Sequence, residues 1–165
     1  ASSAPSSPTN SPPPQPPKDF LTTLVERLLA VVSLIPQEFG TVQSRIKPEQ
    51  ITDVTLQALY KSFVDLYNRT GSLDVKSYMP TDPATAAQWN ALQLIGEEHY
   101  GPLTIQEQQQ ELLSLVEGIE RHSITAMLKR VQQQLAHAER AHDAAAVQQL
   151  SEEFRRLTEL LRQCD

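Results

Sequence analysis

The residues of this chain that could do chemistry are four histidines, one cysteine and two adjacent acid pairs. His99, His122, His137 and His142 could hold a metal or move a proton, yet none stand at zinc-ligand spacing; His137 and His142 fall on different sides of a helix and across a turn. Cys164 has no second thiol for an internal disulfide and no companions for a metal site. Glu97-Glu98 and Glu152-Glu153 would suit general acid and base work only in a cleft, and neither pair lies in a Gly-rich loop that would build one. Solvated helix faces are the simpler assignment. The chain has no Gly-rich phosphate loop, no Gly-x-Ser-x-Gly elbow and no Cys-His pair with a third orienting residue. We expect no catalysis, no metal and no cofactor in this stretch, and a function in binding.

Charge narrows the partner. The net charge is -6, and residues 19 to 123 hold 14 acids against 7 bases, whereas 124 to 165 hold six of each. Binding nucleic acid needs clustered Lys and Arg to replace phosphate counterions, so no direct nucleic-acid contact is expected and a protein partner is. No run of about 18 apolar residues suggests a membrane span and no charged-then-apolar signal is present, so the expected location is the cytoplasm. The chain begins at Ala1 rather than Met, which reads as a piece of something longer.

The elements that must position a binding surface are helices. Five Gly among 165 residues, few aromatics and many Leu, Gln and Ala favour an all-α fold. Residues 1 to 18 are Pro- and Ser-rich with a single charge, too polar to offset the entropy of ordering by burial, and are expected to be a disordered linker. An N-terminal bundle of about five to six helices is then expected over 19 to 120. Asp19 caps a core helix with apolar residues on more than one face, and Pro36 ends it. A short helix closes near Arg45. Leu56, Leu59, Tyr60, Phe63, Val64 and Tyr67 mark a helix that Gly71 stops in the left-handed region. Leu73, Val75 and Met79 suggest a single helical turn. Asp82-Pro83 starts a helix with Ala87, Trp89, Leu92, Leu94 and Ile95 inward, where Trp89 reads as core rather than as an interface anchor. Thr104 and Glu107 form a capping box for the next.

From 121 to 165 the spacing predicts a helical hairpin. Ile124, Met127, Leu128, Val131 and Leu135 share one face of the first arm; Val147, Leu150, Phe154, Leu157 and Leu161 make a heptad-like seam on the second, which Asp143 caps. Helices this short are marginal alone in water, so each arm should bury its stripe on the other. Gly118 and Ser123 weaken the helix between bundle and hairpin and mark a candidate hinge, because Gly costs about 1 kcal/mol relative to Ala in a helix interior and Ser can cap a fresh start.

The order of these segments is recognisable. The run LLAVVSLIPQEFG, then IKPEQITDVTLQALYKSFVDLYNRTGSLDV, then TDPATAAQWNALQLI resembles the helical domain shared by the C-terminus of bacterial DnaG-type primases and the N-terminus of DnaB-type replicative helicases. The tail, with Leu128-Lys129-Arg130 before the hairpin and Ala138-Glu139-Arg140-Ala141 leading to Asp143, is similar to the primases. One departure is His142, where the family often has Gly.

The resemblance implies a helicase-binding domain, monomeric when alone, whose hairpin docks on the helicase's N-terminal domains. It also implies that 1 to 18 tether catalytic and zinc-binding domains of the primase that are not part of this chain. On this basis Leu150, Phe154, Leu157, Leu160 and Leu161 are expected to contribute to the contact, with Arg155, Arg156 and Arg162 steering. Of these, Leu150, Phe154 and Leu157 should mainly hold the hairpin together, leaving Leu160, Arg155 and Arg156 as exposed contacts. Two other identities fit the same helices: the N-terminal domain of a replicative helicase, which would form a ring, and a scaffold whose hairpin dimerises as a coiled coil.

Overall fold

The computed structural model describes residues 19–164, and the expected linker over 1–18 lies outside them. The described residues form an all-α fold: α1 (Phe20–Leu34), a 3-10 turn (Pro36–Glu38), α2 (Phe39–Arg45), a second 3-10 turn (Pro48–Gln50), α3 (Val54–Thr70), α4 (Pro83–His99), α5 (Ile105–Arg140) and α6 (Ala144–Gln163).

Helix α1 is the centre of the bundle because its second half has no polar face to expose. Leu28, Leu29, Ala30, Val31 and Val32 are consecutive and all buried, so that half is covered on every side, with α4 and α5 supplying most of the cover, while Arg27 in the first half is exposed. Asp19 caps it by accepting the Thr22 amide at 2.8 Å, and Pro36 forces the chain out of the helix. Together α1 and Pro36–Arg45 reach the length and hydropathy of a membrane span, but the pair is bent by 117°; no single described helix is long and apolar enough to cross a membrane.

One close approach fixes how α1 and α4 cross. A Cβ on Gly96 would stand 2.5 Å from the Ala30 carbonyl oxygen, so only glycine lets the two backbones meet there. Beside that crossing, Phe39, Tyr60, Phe63, Tyr78 and Trp89 pack edge to face, with Phe63 and Trp89 4.9 Å apart at their ring centres. Trp89 is therefore core. The buried Tyr60 hydroxyl donates to the Ile46 carbonyl at 2.6 Å, and burial raises its pKa above the ordinary tyrosine range. Gly71 ends α3 in the left-handed region at φ 76°.

Three expectations fail in the bundle, the first being Ala87, which is exposed because it lies two residues from the buried Thr85 and Trp89 and so on the opposite side of α4. Residues 72–82 form no helix but hold a turn over 75–77, in which the Asp74 carboxylate accepts from the Lys76 and Ser77 amides and the Ser77 hydroxyl. Leu73 and Val75 are buried there, but Met79 is 81% exposed. Leu94 does not point inward and is 66% exposed, since it lies two residues past Leu92 and thus on the far side of α4 from α1.

Candidate interaction site on the helical hairpin

The site is built on one long element. Helix α5 runs for 36 residues, about 54 Å at 1.5 Å per residue, and starts at the expected capping box, in which Thr104 and Glu107 each accept the other's backbone amide. Its first half lies in the bundle through Leu112, Leu115, Val116 and Ile119; beyond Ile119 it carries the hairpin. The helix is uninterrupted through Gly118 and Ser123, so the line between bundle and hairpin falls inside one helix and not at a helix end. Its ladder survives there because both residues have neighbours. Gly118 faces the Leu24 side chain, and the Ser123 hydroxyl accepts from Gln50 Nε2 at 3.1 Å.

At the tip, α5 ends on Ala141 in a Schellman motif: the His142 amide donates to the Glu139 carbonyl and the Asp143 amide to the Ala138 carbonyl. His142 takes the left-handed conformation, φ 53°, that this motif requires. Asp143 then caps α6 by accepting the Ala146 amide at 3.1 Å, as its position suggested. The motif is invisible to a search for Gly, because a histidine occupies the left-handed position.

The register of the two arms follows from their open ends. Arg121 donates to the Cys164 carbonyl at 2.9 Å, and counting inward from that pair places Ile124 opposite Leu161, Leu128 opposite Leu157, Val131 opposite Phe154, Leu135 opposite Leu150, and Ala138 opposite Val147. The two apolar stripes thus meet in step. Leu157, Val131 and Ala138 are buried, while Ile124, Leu128, Leu135, Val147, Leu150, Phe154 and Leu161 are half-buried. The thinness of a two-helix layer leaves them so.

The residues expected to make the contact now separate. Leu157 is 1% exposed, inside the hairpin, and a partner could reach it only if the hairpin opened. Leu150, Phe154 and Leu161 each present one edge to solvent. Leu160 is 36% exposed and sits at the hairpin's root, in a 290 Å³ hollow with Ile124, Glu117, Glu120, Arg45 and Cys164. Arg155 is exposed and makes no ion pair among the described residues. Arg156 and Arg162 are exposed but engaged. Glu153 and Glu159, three residues before them on the helix, accept bidentate bonds, and the arginines hold both carboxyls below the usual glutamate range. Such exposed pairs screen the arginines' field, whereas Arg155 carries its charge without an ion pair among the described residues.

No family model, curated protein or solved structure matches the chain. The functional assignment therefore rests on its own residues and their order. On the first arm Met127 was expected in the seam, but it is 42% exposed and instead lines a groove of about 500 Å³ between hairpin root and bundle, with Leu21, Lys47, His122, Ala126 and Arg130. Its step of three from Ile124 turns it away from α6, whereas the step of four to Leu128 keeps the stripe aligned. Among the described residues no group of three or more His, Cys, Asp or Glu is placed to hold a metal.

Proposed function

We propose that this chain is the protein-interaction domain through which a DnaG-type primase binds the N-terminal domains of a DnaB-type replicative helicase, bringing primer synthesis to the replication fork. The observation that carries the proposal is the unbroken passage of α5 from a helical bundle into a hairpin whose second arm packs chiefly on α5 and leaves its outer face to solvent. An arm of this kind, with half-buried apolar edges at Leu150, Phe154 and Leu161 between exposed polar residues, suits the helix-in-groove mode of recognition. The order of segments supports the primase side of the assignment, since the hairpin tail follows the bundle as it does in that family. A tether at the far end would let docking raise the concentration of the rest of the primase near its template.

The mass of the protein in solution tests this against the helicase N-terminal domain. A monomer that binds the helicase supports the primase assignment; a self-assembled trimer or hexamer overturns it.

A further inference from the structure

Between Ile119 and Val131, α5 has no fully buried apolar residue, yet this is where it leaves the bundle and where Gly118 weakens the preceding turn. Two polar contacts from α2 and the connection after it reach that stretch, beside a ring contact between His122 and Phe20 of α1, 6.1 Å apart at their centres. Arg45 donates from Nε and from its Nη2 to the two carboxylate oxygens of Glu120, at 2.6 and 3.1 Å, in a bidentate pair about a quarter to a third exposed. Gln50 Nε2 donates to Ser123 Oγ. Glu120 and Ser123 are three residues apart and lie on one face of the helix.

Arg45 is the last residue of α2 and Gln50 stands in the connection from α2 to α3, and that connection is itself tightly held. Ile46 and Ile51 are buried at its ends. Tyr60 bonds the Ile46 carbonyl, and Gln57 Nε2 donates to the Pro48 and Ile51 carbonyls at 3.0 Å each. The Lys47 amide donates to Gln50 Oε1 at 2.7 Å, which fixes the side-chain amide so that its nitrogen is turned to Ser123. The end of α6 reaches the same level through the Arg121–Cys164 contact.

We propose that Arg45 and Gln50 form a bracket on the bundle that sets the direction in which the hairpin leaves it. With the bracket closed, α5 continues straight through Gly118 to Ser123; with it released, the same stretch becomes a bend point and the hairpin swings. The bracket is a property of the free protein and does not depend on what the hairpin binds.

Distance measurement between two spin labels tests it. With Cys164 changed to Ser, labels go on cysteines replacing Asn90 on α4 and Ala145 at the tip, both exposed. The unaltered bracket should give one narrow distance distribution. Arg45→Met with Gln50→Ala should at least double its width and lower the hydrogen-exchange protection of amides 119 to 126 by about tenfold or more, with α1 unchanged. If the double variant misfolds, Glu120→Gln alone serves, because it keeps the shape and removes the charge pair. A narrow distribution in the double variant or in Glu120→Gln, or protection of 119 to 126 unmoved, overturns the proposal.

Discussion

Leu157→Ala separates the hairpin's stability from its binding. Leu157 is the most buried residue of α6, placed by register opposite Leu128 at the middle of the seam. Truncating a buried leucine costs about 2 to 5 kcal/mol, least where neighbours can close on the space left. Most seam residues are half-buried and free to shift, so the low end applies, about 2 to 3 kcal/mol. The hairpin has three buried apolar residues among those described and meets the bundle mainly through α5, so it should open as a local unit before the bundle does. Hydrogen exchange read by mass spectrometry follows each helix separately. Peptides covering α6 should lose protection by roughly 30- to 160-fold, the range those energies convert to at 1.36 kcal/mol per tenfold, while α1 stays as it was. Loss of less than threefold in α6, or equal loss in α1 and α6, would refute the reasoning, the first because the seam is not what holds the arm and the second because hairpin and bundle unfold as one.

Two further substitutions probe the backbone. Gly96→Ala should destabilise the bundle by about 1 to 3 kcal/mol in urea unfolding, since the new methyl meets the Ala30 carbonyl and forces α1 and α4 apart; unchanged stability would show that the crossing has slack. His142→Gly should stabilise the hairpin tip by about 1 kcal/mol, because glycine enters the left-handed region without the Cβ clash that histidine bears. Slower exchange of the amides of 142 and 143 is the readout, and faster exchange would contradict it.

Much of this fold is legible in the residues, and the parts that are not have a common cause. Caps and stops act locally, so Asp19, Asp82, Thr104, Asp143, Gly71 and Pro36 could be placed from their neighbours alone. The heptad-like steps of α6 likewise carried their seam directly. What could not be read depends on residues far apart in sequence. Gly96 reads as a weak point in a helix until Ala30 is found against it, and Glu120 reads as an ordinary surface position and Ser123 as a fresh helix start until Arg45 and Gln50 arrive from 75 and 73 residues away. The weakness of Gly118 and Ser123 was real as local propensity, but long-range contacts keep the helix whole. The pairing of Arg156 and Arg162 was within reach, because a glutamate three residues before each is a spacing that brings the side chains together.

If the proposed function holds, the exposed residues Arg155 and Leu160 of α6 belong to the contact. The most direct measurement is titration of the intact chain against a DnaB-type helicase, repeated with Leu160→Glu and Arg155→Glu together, which leave the buried seam in place. Binding that weakens at least tenfold in the double variant, with helicity unchanged, is the expected result. Undiminished affinity would contradict the hairpin face as the contact, and no binding by the unaltered chain would contradict the helicase as the partner.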